Sequence, residues 1–390
     1  MFGNTLTGRR VLVTGHTGFA GSWLCLWLHS LGAIPIGLSL PDTTKDHAAG
    51  MSLWTCANVA GLLAQDMRVD MNEAEAVVAA MRAAAPDYVL HLALPEQGDA
   101  AAVMRGGMLG TLHVLEAAAA ASVRAVVCVA GDRAYAGPGY PHPCREDGPC
   151  ARSAYGAACA CATHVVQTWA ALHAADGPRL ACVRTGRLLG GGEWRQGSLL
   201  GEAARAWTAE RPCMPAGQAA HPWQHVLDAL SGCLWLCAGL GGETEGLRPE
   251  MLHGAVLNCG PAAGMPLPAR DMLAGLRRHW SGLVCGGDAC GGTPGEQDGG
   301  AVAPGRAAES DWRDGEEAGP LALDSGKAWA LLGWRSVLDA EEMLRLAADW
   351  YKAWRWGGTG KNPRDMRSFS LGQIAAYEAC AASRDALWTR

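Results

Sequence analysis

Lysine is scarce in this 390-residue chain, occurring only at Lys45, Lys327, Lys352 and Lys361. No lysine between Lys45 and Lys327 is therefore on offer for catalysis or phosphate binding. Arginine does not make up the deficit by clustering. With a formal charge of -6 and no basic stripe, the chain is not expected to partner nucleic acid. Long apolar runs are missing too: nothing approaches the ~20 residues that span a bilayer, and no charged-then-apolar leader precedes the first strand. No membrane association is expected, and the location expected is cytoplasmic. Paired Cys-x-x-Cys motifs at zinc spacing are absent, although there are fifteen cysteines, an odd and scattered set. That argues against a metal and a disulfide framework. Cys159 and Cys161, or Cys233 and Cys237, read as buried small apolar residues.

What is present is enough apolar material, 49% of residues, to bury one large core or two smaller ones. The most informative stretch is Val11-Leu12-Val13-Thr14-Gly15-His16-Thr17-Gly18-Phe19-Ala20-Gly21-Ser22-Trp23. An apolar run ends in three glycines spaced three apart, and a helical pattern follows at once, the arrangement that seats a dinucleotide pyrophosphate on a helix N-terminus. Gly15 permits the turn, Gly18 lets backbone N–H groups approach a phosphate, and Gly21 lets helix and strand pack closely. Thr17 and Phe19 belong to the same candidate cofactor site.

Strand and helix signals then alternate. Apolar runs at 34–38, 88–92, 125–129 and 180–184 predict strands, and helices are predicted at 24–30, 110–121 and 154–175, with another running from Asn72 as N-cap to Ala85 before Pro86. The pattern predicts an α/β fold built on a Rossmann-type doubly wound parallel sheet. An acid for the adenosine ribose is expected about 18 to 20 residues past the last glycine. Ser39 stands there, so charge does not decide between NAD and NADP. Asp66 either bonds the adenine amine or caps the following segment.

The chain resembles the extended short-chain dehydrogenase/reductases, and within them the CDP-glucose 4,6-dehydratase branch. The likeness is carried by Val13–Phe19, Gly190-Gly191-Gly192-Glu193-Trp194, Pro222-Trp223-Gln224-His225-Val226, Leu323-Asp324-Ser325, Leu332-Gly333-Trp334-Arg335 and Gln373-Ile374-Ala375-Ala376-Tyr377. It implies NAD, a nucleotide-sugar substrate such as CDP-glucose, and elimination of water to a 4-keto-6-deoxy sugar. It also implies an ionised tyrosine, a lysine four residues later, a Ser or Thr beside them and an acid for the C6 hydroxyl. Tyr155 stands at the tyrosine position, but Cys159 replaces the lysine. The Thr-Ser-Asp-Lys stretch implied after the 125–129 strand reads Ala130-Gly131-Asp132-Arg133, which keeps only the acid, Asp132. Gly107 replaces an Asn.

Free tyrosine has a pKa of ~10, so full ionisation at neutral pH needs roughly 4 kcal/mol from neighbours. Arg152 is one candidate source of charge; Arg133 is not a base for the C5 proton, because guanidinium keeps its proton. Tyr155 is thus either a base or a retained pocket tyrosine, Asp132 either a general acid or a backbone partner. The alternative to an enzyme is a non-catalytic binder of NAD or nucleotide sugar, or a partner subunit.

Residues 1–185 read as the NAD-binding part and 186–390 as a smaller substrate-binding part, with a flexible glycine-rich insertion at 282–319. Arg187, in place of an Asn, either pairs with a diphosphate or lies on the surface; His221 replaces an Arg. Trp194 and Trp223 either line the pocket or fill the core. A helix at 340–354, with Leu344, Ala347, Ala348 and Tyr351 on one face, is predicted to cover the substrate part. The helices at 110–121 and 154–175 are apolar nearly all round, which predicts a homodimer.

Overall fold

The computed structural model describes residues 1–40, 51–96, 98–136, 142–173, 176–195, 197–211, 213, 220–261, 266–280, 322–356 and 365–390. The 282–319 insertion therefore lies outside the described residues, as do Lys45 and Lys361.

The strands are β1 (Arg10–Thr14), β2 (Ile34–Ser39), β3 (Gln65–Arg68), β4 (Tyr88–His91), β5 (Ala125–Gly131), β6 (Arg179–Thr185), β7 (Arg187–Leu189), β8 (Ala220–His221), β9 (Trp223–His225), β10 (Val256–Cys259) and β11 (Leu267–Pro268). Seven of them form one parallel sheet in the order β10-β6-β5-β4-β1-β2-β3. The chain lays strands outward from β1 to β3 and then restarts at β4 on the other side. That reversal opens a crevice at the carboxyl ends of β1 and β4, where ligands bind in such sheets.

Period-two packing divides the sheet between two cores. Val11 and Val13 face a cluster with Trp23, Trp27 and the Val226–Gly241 helix, whereas Leu12 and Val89 face the helices Ala74–Ala84, Thr111–Ala120 and Ala154–Leu172. The predicted strands and helices are all found, with three differences. Asn72 does not cap its helix: Asp70 Oδ1 accepts from the Asn72 backbone and side-chain nitrogens at 2.9 Å, and the cap falls on Glu73. The helix expected at 110–121 is preceded by a π-helical turn, Gly106–Gly110. Cys161 is half-buried, whereas Cys159, Cys233 and Cys237 are buried as expected.

The Ala340–Trp356 helix buries Leu344, Ala347, Ala348 and Tyr351 and packs on the helices Ala269–Trp280 and Met366–Ser383. One buried carboxylate ties these pieces together. Asp228 accepts from the backbone N–H of Val337 at 2.9 Å and Leu338 at 3.1 Å, from Tyr377 Oη at 2.7 Å and from Ser336 Oγ. Among the described residues no helix is long and apolar enough to cross a membrane.

Candidate functional site

The glycine turn follows β1 directly. Gly15 has φ +71°, a left-handed conformation suited to glycine, and its N–H donates to the Leu38 carbonyl at 2.8 Å. Gly18 is the extended N-cap of the Phe19–Ser30 helix, whose first N–H groups have no intrahelical acceptors. A Cβ on Gly21 would stand 2.3 Å from the Gly15 carbonyl oxygen, so only glycine lets the helix sit this close to the turn. Backbone donors and the positive end of the helix dipole are thus held at the crevice, and this cradle fits a dinucleotide pyrophosphate.

The region where the sequence leads one to expect the adenosine is tightly built. The buried His16 imidazole lies against Gly37, where a Cβ would fall 2.3 Å from the ring, and its Nε2 is 2.9 Å from Asp66 Oδ1. Burial lowers the His16 pKa, with Asp66 pulling the other way. Asp66 does not cap a segment; its second oxygen accepts from Arg68 Nη2 at 2.8 Å. The Ser39 hydroxyl is buried between Thr17 Oγ1 at 3.4 Å and Arg68 Nη1 at 3.3 Å. Ser39 is the last residue of β2 and Asp66 the second of β3, and neither belongs to the lining of the main cleft.

That cleft has a volume of about 350 Å³. Gly15, Thr17, Gly18, Phe19 and Gly21 form one wall, Asp132 and Tyr155 another, and Arg187, Trp194 and Trp223 close it from the second half of the chain. Of the expected site residues, only Ser39 and Asp66 are missing from this set. Trp194 and Trp223 turn out to do both things considered for them: each is at least nine-tenths buried and also presents surface to the cleft.

Tyr155 is the second residue of the Ala154–Leu172 helix, which Ser153 caps by accepting from the Gly156 N–H at 3.2 Å. One turn on, the buried Cys159 thiol faces the Tyr155 hydroxyl and the Gly131 backbone N–H. Burial pushes that thiol up to about 11, so it is uncharged at neutral pH. The cation at Tyr155 is Arg133, whose guanidinium carbon lies 4.7 Å from the ring centroid, while Arg152 is exposed. A Cβ on Gly131 would meet nothing within 4 Å. A Cβ on Gly107 would fall 2.6 Å from the Ala158 Cβ, so the helix occupies the space an asparagine would need.

Asp132 is buried, and its Oδ2 lies 3.9 Å from Arg187 Nε; Arg187 in turn sits 5.9 Å from the Trp223 ring centroid. Arg187 is thus a cleft residue rather than a surface arginine. His221 is buried edge-on to Trp223 at 5.6 Å. Three cleft residues escaped sequence reasoning. Arg195 bridges Glu96 and Glu193, the latter at 3.1 Å, and so links the loop after β4 to the loop after β7. The only available signal was the adjacency of Glu193 and Arg195 to Gly190–Gly192.

A glycine turn at the switch point of a parallel sheet, faced across a cleft by a helix-borne tyrosine and a buried aspartate, defines a Rossmann-type nucleotide-binding protein. The chain belongs to the NAD dependent epimerase/dehydratase family, whose model matches residues 11–244. It is 28% identical over 393 aligned positions to a CDP-glucose 4,6-dehydratase of Salmonella typhimurium, covering 96% of this chain and 97% of the relative. Among solved structures it superposes on the Bordetella bronchiseptica enzyme WbmG in complex with NAD and UDP, with TM-score 0.65, 16% identity and coverage of 90% and 96%. It also superposes on the Thermus thermophilus UDP-glucose 4-epimerase complex with NAD, with TM-score 0.64, 20% identity and coverage of 88% and 99%. These two likenesses speak to the fold.

Proposed function

We propose that the chain binds NAD on the Gly15–Gly21 turn and a nucleotide sugar, CDP-glucose, in the adjoining half of the cleft, and acts as a slow 4,6-dehydratase. The observation that carries this reading is that Tyr155 and Asp132 line one cleft with the glycine turn. Residues 1–185 hold the cofactor and 186–390 shape the sugar site; the reading places the protein in the cytoplasm.

When bound, NAD supplies reversible hydride acceptance at sugar C4. Tyr155, as phenolate, takes the proton of the 4-hydroxyl. Asp132 donates a proton to the departing C6 hydroxyl, and Arg187 both orients that carboxyl and offers charge to the diphosphate. Arg133 stands where the resemblance implies a lysine but keeps its proton, so the C5 proton, with no side-chain base at that position, passes to solvent water as the C6 hydroxyl leaves. Gly131 also omits a hydroxyl. Turnover is therefore expected to be slow.

The filled space beside Gly107 and the empty space beside Gly131 favour a second reading, a non-catalytic binder or partner subunit. Incubation with CDP-glucose and NAD decides, using the absorbance that 4-keto-6-deoxy sugars develop in alkali and calorimetric NAD binding. Product above a Tyr155→Phe control supports the dehydratase. NAD binding without product supports the second reading, and neither result removes both.

A homodimer accompanies this proposal. Leu172 is 75% exposed at the end of one long helix, and Met104 and Met108 are 43% exposed beside the start of the other. A second copy would cover them.

A further inference from the structure

We propose that Arg133 supplies a positive charge that favours the ionised form of Tyr155, taking over part of the electrostatic role of the lysine that Cys159 has replaced. This rests on the reading of Tyr155 as the base, and it assigns to Arg133 an action through Tyr155 rather than on the substrate.

The geometry supports it in three ways. The Asp132–Ala134 turn that ends β5 delivers the guanidinium to the face of the ring, 4.7 Å from its centroid. A phenolate spreads its charge into that ring, so a cation over the face favours the ionised form over the neutral one. Secondly, the group now standing at the lysine position is an uncharged, buried thiol, which neither helps nor opposes ionisation by charge.

Thirdly, the other charged groups around the cleft are largely matched among themselves. Asp132 faces Arg187 at 3.9 Å, and Arg195 engages both Glu96 and Glu193. The π-helical turn packed against the tyrosine helix, Gly106–Gly110, carries no titratable side chain. Arg133 is therefore the cation the described residues bring against the Tyr155 ring. A unit charge at this range, with solvent nearby, shifts a titration by about 1–2 pH units. At neutral pH that multiplies the phenolate population roughly 10- to 100-fold.

The role differs from that of a lysine in one respect. A guanidinium over the ring acts on the ring face rather than at the hydroxyl, which faces the Cys159 thiol. Arg133 thus changes how readily Tyr155 gives its proton to solvent, without itself exchanging a proton.

The test is the ultraviolet phenolate titration of the purified full chain, with the Tyr155→Phe spectrum subtracted to isolate Tyr155 from the other tyrosines. Arg133→Gln and Arg133→Lys are titrated alongside. The expected result is a Tyr155 midpoint about 1–2 units below the ~10 of free tyrosine, moving back up in Arg133→Gln and staying low in Arg133→Lys. A midpoint unchanged by Arg133→Gln, or raised equally in both variants, overturns the assignment. Turnover plays no part in this readout. A lowered midpoint without product would count against the dehydratase and leave the assignment of Arg133 standing.

Discussion

The Thr14 hydroxyl lies 2.8 Å from Nδ1 of His91, joining the last residues of two adjacent central strands. Thr14 Oγ1 already accepts from the backbone N–H groups of Leu92 and Ala93, so its own proton goes to His91. His91 Nε2–H then donates to Thr111 Oγ1 at 3.1 Å, and Thr111 donates to the Gly107 carbonyl at 2.7 Å. Every link runs in one direction, and only the neutral imidazole fits it.

Stability should consequently fall in mild acid. Burial lowers the His91 pKa to about 4 and that of His225 to about 3, against an ordinary 6.5. In the window between, the unfolded chain takes up the protons first, so stability is complete above pH 6.5 and drains away as pH falls toward 4. At most, His91 contributes roughly 3 kcal/mol and His225 roughly 5 kcal/mol. Urea midpoints at neutral pH and near pH 5 should differ, and His91→Gln should flatten the profile; an unchanged midpoint would count against the buried neutral imidazoles.

Repairing the catalytic set should succeed at some positions and fail at another. Gly131→Ser places its hydroxyl in open space and, combined with Cys159→Lys, should raise product formation at least about 10-fold if the tyrosine is the base. Adding Gly107→Asn should lower stability, because the new side chain meets Ala158. Product assays and melting temperatures on the double and triple variants separate the two effects. No gain from the double repair would point to the non-catalytic binder.

Gly21→Ala drives a methyl group into the Gly15 carbonyl and tilts the first helix off the turn. NAD affinity should drop at least about 10-fold, equivalent to ~1.4 kcal/mol, with a smaller loss of stability. Calorimetric titration that finds full affinity in this variant would dissociate the turn from the cofactor.

Asp228→Ala should be among the most damaging changes outside the cleft. It strands two hydroxyls and two backbone N–H groups in the core, at a cost of about 3–5 kcal/mol. Tyr377→Phe removes one donor and should cost about 1 kcal/mol. Chemical denaturation of both variants tests the ranking.

The sheet was legible because its central strands are buried on both faces and read as unbroken apolar runs, as 88–92 and 125–129 do. The glycine turn was legible because each glycine answers a steric demand that spacing alone reveals. Side-chain pairing across distant segments was not. Nothing in the order of residues indicates that Arg133, rather than Arg152, reaches Tyr155, or that Arg195 spans from Glu193 to Glu96, since such contacts depend on how loops from separate strands converge. Asn72 shows the local version of this limit: a good capping residue lost its place because Asp70, two residues earlier, bound its amide first.

The donors gathered on Asp228 also set an order of events during synthesis. Its carboxylate leaves the ribosome 108 residues ahead of Ser336 and 149 ahead of Tyr377. Until those arrive, the Asp228 carboxyl on the Val226–Gly241 helix lacks donors that its burial in the core calls for. The native packing of that helix is thus completed only once the far end of the chain has been made.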